Sequence, residues 1–249
     1  MIGIFDSGVG GLSVLKEIVK LLPTENYIYY SDNAYCPYGE KSTNFIIDRA
    51  RCITKFLIEK GADIIVIACN TATSAAIQTL RSEFDIPFIG MEPAVKPASF
   101  STKTGIVGIL ATSGTLKGEK YHQSRDEYSK GIKIVEHIGE GFVELVENGE
   151  LDGELVEDCI RKSIAPIIKA NADIIVLGCT HYSFLEATIR KVAGKDVEVI
   201  DPAPAVAKRV YNINLEVKKN IGASTSPNIV LFSSGSDSSL KRCFKSLGL

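Results

Sequence analysis

The sequence predicts an α/β protein made of two pseudo-symmetric lobes with mainly parallel sheets and an active site in the cleft between them. Three observations carry that expectation. Short β-branched runs alternate with longer amphipathic segments, the pattern of parallel strands joined by crossover helices. The stretch ADIIVIACNT at residues 62 to 71 nearly recurs as ADIIVLGCTH at 172 to 181, with six of ten positions identical at an offset of 110 and a cysteine among the six. Two looser matches keep the same order, GIFDSG from Gly3 with GILATSG from Gly108, and MEPA from Met91 with IDPA from Ile200. Matches in a fixed order at a near-constant offset are expected when two similar halves form one molecule.

In chain order, strands are expected at 2–5, 27–31, 63–68, 87–90, 106–110, 133–136, 173–177, 197–200 and 229–232. The first runs into the glycine-containing turn DSGVGGLS, and the second ends just before Asp32. The third and seventh are the repeated apolar runs that deliver Cys69 and Cys179. The fourth and eighth lead into the matched Pro-Ala pairs. Helices fill the intervals, as from Phe45 to Lys60, where Ile46, Ala50, Ile53 and Leu57 share one face. Pro93 and Pro97 bracket the first passage between lobes and Pro202 and Pro204 the second, because residues near proline are held out of helix. The expected division is a first lobe of residues 1–92 plus 207–249 and a second of 93–206. The C-terminal segment then returns to complete the first sheet.

Composition limits what such a molecule does. A chain of 249 residues with 45% hydrophobic content buries a sizeable core. Lysine and arginine total 28 against 30 acidic residues, a net charge of −2 without any run of about five or more like charges, so neither a nucleic-acid nor a membrane partner is expected. No apolar stretch approaches about 18 residues. Met1 leads directly into a strand without a basic leader, so a soluble, cytoplasmic protein with its six cysteines reduced is expected.

Ligands of parallel α/β sheets bind outside the carboxyl ends of the strands, where Cys69 and Cys179 fall. Two facing lobes would set these thiols on opposite sides of a bound molecule. That suits inversion at a carbon bearing a removable proton, which needs a base on one face and an acid on the other. A thiol with an unperturbed pKa of about 8.5 serves in either form. Other readings compete. A disulfide is disfavoured by compartment. A zinc site of Cys69, Cys179 and His181 lacks the usual spacing and a fourth ligand. A Cys179–His181 nucleophile and base leaves Cys69 unexplained. Core packing conflicts with the polar Asn70, Thr71, Thr180 and His181 that come directly after the thiols. Gly8 and Gly10 begin a dinucleotide fingerprint with Asp32 beyond it, but Ser13 stands in the third glycine position. A two-lobed protein that binds a polar ligand without reacting would need the same cleft, but not two matched thiols. Cys52, Cys159 and Cys243 are expected in the core, Cys36 near the cleft, and His122 and His137 at the surface.

FDSGVGGLSV (5–14), PYG (37–39), ACNTA (68–72) and LGCTHY (177–182) together resemble the glutamate racemase family, cofactor-independent enzymes that make D-glutamate for bacterial peptidoglycan. The resemblance runs from near Met1 to about Val210. Related aspartate racemases end the second cysteine motif in Cys-Thr-Glu, so Cys179-Thr180-His181 favours glutamate over aspartate. The resemblance implies that Cys69 and Cys179 are the acid/base thiols, one for each face of the substrate Cα. It implies that Asp6 and His181 assist them or hold the substrate ammonium, with Glu147 as a third assistant and Glu144 competing for that role. Ser7, Tyr38, Gly39, Asn70, Thr71 and Thr180 are implied to bind the amino acid. No metal or pyridoxal cofactor is implied, and the partners are L- and D-glutamate and a second copy in a homodimer. Cys36 before PYG and Ser183 after LGCTHY depart from the common family pattern. The chain also starts at its first strand, without the extension of members activated by a peptidoglycan precursor, which leaves that regulation open.

Overall fold

The β-branched runs of the first third of the chain become β1 (Ile2–Asp6), β2 (Asn26–Ser31), β3 (Ile64–Ile67) and β4 (Phe88–Gly90). Those of the middle become β5 (Ile106–Ala111), β6 (Lys133–Ile138), β7 (Ile174–Gly178) and β8 (Glu198–Ile200), and β9 (Asn228–Ser233) lies near the C-terminus. The computed structural model describes residues 1–217 and 227–249. Every expected strand is present among them, with ends displaced by at most two residues.

The strands form two sheets, ordered β4-β3-β1-β2-β9 and β6-β5-β7-β8, and every pairing is parallel. Reading the second backwards gives 8-7-5-6 beside 4-3-1-2, so the halves share one strand order. The register agrees with it. Gly3 pairs with Ile65 and Gly108 with Ile175, the partners that the GIF/GIL and ADII matches require. A Cβ on Gly3 would lie 2.9 Å from the Ala62 Cβ, and one on Gly108 would lie 2.3 Å from Ile167 Cγ2. Both positions stay free of side chain so that the segment covering the sheet lies close. β9 joins the first sheet at the β2 edge.

The MEPA and IDPA match needs correction. The ladder places Phe88 opposite Ile65 and Val199 opposite Ile175, whereas the motifs align two residues out of step. Four residues separate β4 from the helix after it and two separate β8 from its own, so the prolines mark equivalent turns of unequal length.

The helices, in order, are α1 (Leu12–Leu21), α2 (Thr43–Glu59), α3 (Asn70–Glu83), α4 (Val95–Ser101), α5 (Ser113–Leu116), α6 (Glu119–Tyr128), α7 (Phe142–Asn148), α8 (Glu154–Lys169), α9 (Glu186–Ala193), α10 (Ala203–Val217) and α11 (Ser238–Ser246). α2 begins two residues before the expected Phe45, because the Ser42 hydroxyl caps it by accepting the Phe45 N–H at 3.3 Å. Pro97 and Pro204 do not sit between elements. They occupy the first turns of α4 and α10, where a missing N–H costs nothing. The lobe boundary expected at 206/207 falls inside α10, which continues across it and packs on α1. Cys243 is buried as expected, but Cys52 is exposed on the face of α2 opposite Ile46, Ala50, Ile53 and Leu57. Cys159 is only partly covered, and its thiol donates to the Glu140 carbonyl at 3.2 Å.

The aspartate of each repeated Ala-Asp pair anchors the head of its sheet. Asp63 holds the Met1 amino nitrogen at 3.0 Å just before β1. Asp173 accepts from the Thr102 and Thr104 hydroxyls and from the Lys103 N–H at 2.6 Å, just before β5. Burial works to raise its carboxyl, but those bonds outweigh it and hold the pKa down at about 2. No helix among the described residues is long and apolar enough to cross a membrane.

Candidate active site

β1 ends at Asp6, which is fully buried, and its carboxylate accepts the Gly11 N–H at 2.8 Å and the Ser7 hydroxyl at 3.5 Å. The turn after it is pressed against the other half of the chain. A Cβ on Gly8 would come within 2.0 Å of Glu147 Oε1, and one on Gly10 within 2.5 Å of His181 Nδ1. The glycines therefore serve close approach between lobes, and the nucleotide reading loses its support. Asp32 is likewise engaged elsewhere, accepting two bonds from Arg49 at 2.9 and 2.6 Å and one from the Tyr38 hydroxyl. Ser13 donates to the Gly10 carbonyl at 2.8 Å and so closes the turn.

Cys69 and Cys179 each stand four residues beyond a register-equivalent isoleucine, Ile65 and Ile175. Their backbones match, with φ, ψ of −145°, 119° and −149°, 135°. Beyond the cysteines the two halves diverge. Cys69 caps α3, its sulfur accepting the Ala72 N–H at 3.4 Å and lying 3.8 Å from the Ser7 hydroxyl. Cys179 leads into a tighter 3-10 segment, Thr180–Leu185, and its sulfur lies 3.9 Å from His181 Nδ1. The other ring nitrogen, His181 Nε2, is 2.8 Å from Glu147 Oε1, which also accepts the Val9 N–H at 2.8 Å. Glu147 makes this contact from α7, while Glu144, one turn earlier, is not among the hydrogen-bond partners of His181.

The two thiols have different electrostatic surroundings. Burial pushes the Cys69 pKa well up and the neighbouring Asp6 pushes it further, with the Ala72 N–H offsetting part. Burial raises Asp6 as well, against the opposing charge of His181. Burial disfavours a charged His181, but its contacts with Cys179, Cys36 and Glu147 outweigh burial and hold its pKa well above the ordinary imidazole value. Burial works to raise Glu147, yet the hydrogen bond from His181 and the Val9 N–H keep it below the usual carboxylate value. One thiol is thus held protonated beside a carboxyl group, and the other faces an imidazolium paired with a carboxylate.

Asn70 is 3% exposed, and neither its side-chain oxygen nor its nitrogen has a hydrogen-bond partner. An amide buried this way is available to a polar ligand. The Thr71 hydroxyl lies 2.9 Å from that of Thr112 and 3.2 Å from that of Thr115, so three hydroxyls bridge the two halves. Gly39 lies against Thr112. Thr180 is buried against Gly10, and its carbonyl is 3.5 Å from the Ser13 hydroxyl. Tyr38 is also buried, but its hydroxyl is committed to Asp32.

The family model described as Asp/Glu/Hydantoin racemase matches residues 2–210. The chain belongs to this family. Racemases are isomerases, and the relatives are consistent in kind. This racemase is 47% identical over 212 residues to the glutamate racemase of Herpetosiphon aurantiacus, an alignment covering 85% of this chain and 84% of that one. It is similar in structure to Escherichia coli glutamate racemase in complex with L-glutamate and the activator UDP-MurNAc-ala, at a TM-score of 0.88 and 35% identity, covering 99% of this chain and 93% of that one. It is also similar to the Francisella tularensis glutamate racemase in complex with D-glutamate, at a TM-score of 0.85 and 30% identity, covering 99% and 92%.

Sequence reasoning missed Thr112 and Thr115 in the racemase. A signal existed for the first, since the match of Gly3 to Gly108 also makes Thr112 the counterpart of Ser7. Arg49, which neutralises Asp32 beneath the site, carried no such signal. The metal-ligand atoms that converge among the described residues belong to Cys36, Glu147 and His181, not to the Cys69, Cys179 and His181 set weighed from sequence.

Proposed function

We propose that the racemase interconverts L- and D-glutamate by carrying the Cα proton between Cys69 and Cys179, and that it supplies D-glutamate for bacterial peptidoglycan. The observation that carries this reading is the pair of thiols at register-equivalent strand ends, each with its own assistant. The glutamate racemases it resembles, solved with L- and with D-glutamate, support the choice of substrate. The two lobes, 1–92 with 207–249 and 93–206, supply one thiol each.

In one direction the Cys179 sulfur, beside the His181 imidazolium, removes the Cα proton as thiolate. The retained ammonium charge and surrounding hydrogen bonds stabilise the carbanion, and the Cys69 thiol returns a proton to the opposite face. The reverse direction exchanges the roles. Asp6 and Ser7 tune Cys69, while Glu147 holds His181 charged and oriented. Asn70, Thr71, Thr180, Ser7, Gly39 and the backbone around Tyr38 receive the substrate's polar groups, with Asp6 and His181 near its ammonium. The enzyme works without cofactor, in the cytoplasm, as a homodimer.

The test tracks L-glutamate by proton NMR in D2O, with chiral analysis and no added cofactor. Two separate bases place deuterium in D-glutamate while the remaining L-glutamate stays unlabelled at early times. Absence of exchange with folded, reduced protein would overturn the choice of substrate. Cys69→Ser and Cys179→Ser should each abolish nearly all turnover, and full activity in either would remove the two-base assignment.

A further inference from the structure

We infer that Cys36, Glu147 and His181 form a binding site for a thiophilic divalent cation of the Zn²⁺ type, and that filling it silences the racemase. The second half of this inference rests on the role given to His181 in the proposed function. The first half rests on geometry. The Cys36 sulfur, a Glu147 oxygen and a His181 ring nitrogen all lie within 4.8 Å of one another. Cys36 Sγ is 3.9 Å from Glu147 Oε1, which is 2.8 Å from His181 Nε2. Zinc–ligand lengths of about 2.0–2.3 Å in a tetrahedron place such donors about 3.4–3.6 Å apart, so the sulfur–oxygen and oxygen–nitrogen separations each change by about half an ångström, and the sulfur–nitrogen separation by at most about 1.3 Å, to complete three corners. Water takes the fourth corner.

The donors are one sulfur, one nitrogen and one oxygen, a set that suits zinc far better than calcium or magnesium. The ion has a route to two of the three donors, with the buried His181 behind them. Cys36 and Glu147 line a surface pocket of about 380 Å³ together with Asn33, Pro37, Glu144 and Ser239, so entry does not require the thiols of the cleft to be uncovered. In the proposed reaction Cys36 neither carries the proton nor touches substrate, although it is one of the contacts that keep His181 charged, and it stands where sequence reasoning marked a departure from the family.

Binding displaces two protons to solvent, one from the Cys36 thiol and one from His181 Nε2. With Nε2 on the metal, the ring keeps its remaining proton on Nδ1, facing Cys179. The charge pair with Glu147 is replaced by metal bonds, and the imidazole no longer responds to changes at the Cys179 sulfur. The ion is therefore an inhibitor and not a cofactor.

Cobalt(II) titration of the reduced protein tests the site. The expected result is one Co²⁺ per chain, a thiolate charge-transfer band in the near ultraviolet, and loss of that band on adding Zn²⁺. Cys36→Ala should abolish the band while racemisation remains measurable, reduced by the lost contact with His181, and Cys36→Ser, which preserves side-chain size, should weaken the band. Loss of a mere supporting partner lowers zinc affinity about 10–100-fold, so loss of this ligand should raise the inhibitory Zn²⁺ concentration at least about a hundredfold. No band in the wild-type protein would overturn the site. So would a band that persists in Cys36→Ala, which would put the ion on Cys69 or Cys179. The band is independent of turnover, so it decides the site even if glutamate proves not to be the substrate. Zn²⁺ binding through Cys36 with undiminished racemisation would overturn the inhibition.

Discussion

Replacing Glu147 by glutamine removes a charge while keeping the shape of the side chain. In the folded protein Glu147 Oε1 takes two bonds at 2.8 Å, from His181 Nε2 and from the Val9 N–H. Both bonds fall on one oxygen, which glutamine retains, so the fold should persist. What is lost is the charge on the acceptor facing His181. A hydrogen bond to a charged group is worth about 1.5–3 kcal/mol and a neutral one about 0.5–1.5, which leaves a difference of about 1.2 kcal/mol between their midpoints. Glu147→Gln should therefore lower kcat about tenfold with KM nearly unchanged, because the proposed role of Glu147 acts through His181 and not on substrate. Glu147 is also one of the groups that hold the His181 pKa high. A group with a raised pKa keeps its charge up to that pKa and loses it as pH rises through it, so the alkaline limb of the kcat profile should move to lower pH in the variant. The assay is initial rate by circular dichroism in both directions over a pH series, with Glu144→Gln as the control that leaves rate and profile in place. Wild-type kcat and an unmoved profile in Glu147→Gln would refute the reasoning, and a rise confined to KM would reassign Glu147 to binding.

Three other outcomes are expected from the same structure. Asn70→Ala removes a buried amide without a partner, so the unliganded protein should melt no lower than wild type while KM for glutamate rises at least about tenfold, a loss of about 1.4 kcal/mol. Gly8→Ala places a methyl 2.0 Å from Glu147 Oε1, and prying the two apart by about 1 Å should cost about a hundredfold in kcat with the circular dichroism spectrum unchanged. The Asp173 carboxyl is held at about 2, below its unfolded value, so it contributes stability above pH 4 that is lost as pH falls toward 2. Urea unfolding should show Asp173→Asn less stable by about 1 kcal/mol at pH 7, after allowance for solvent screening, and the gap should close near pH 2.

Much of this was legible in the residues themselves. Continuous β-branched runs mark buried parallel strands, and one repeated decapeptide was enough to anticipate the equivalent placement of Cys69 and Cys179. Pro93 and Pro202 do lie between elements, but Pro97 and Pro204 were misread, because a residue beside proline is only disfavoured in helix and both prolines lie in first turns, where no N–H is needed. Glu144 and Glu147 are three residues apart on one short helix, so periodicity puts them on similar faces, and only the approach of His181 separates them. The contacts of Cys36 with Glu147, and of Thr71 with Thr112, join residues 111 and 41 positions apart across the cleft. Local pattern carries no record of such pairs. Cys52 shows the converse limit, since an apolar neighbour such as Phe56 does not determine which side of α2 a residue faces.

The seam between the halves closes on glycines and on the hydroxyls of Thr71, Thr112 and Thr115, with the thiols beneath it only 5% and 7% exposed. Water replaces hydroxyl contacts at little net cost, and a glycine has no side chain to peel away. Such a seam keeps bulk water from the two thiols while it is shut. Mirror-image amino acids have equal free energies in solution, so the chemistry itself provides no force that expels one and admits the other. Any net flow in one direction is imposed from outside the protein, by whatever removes one hand from the mixture.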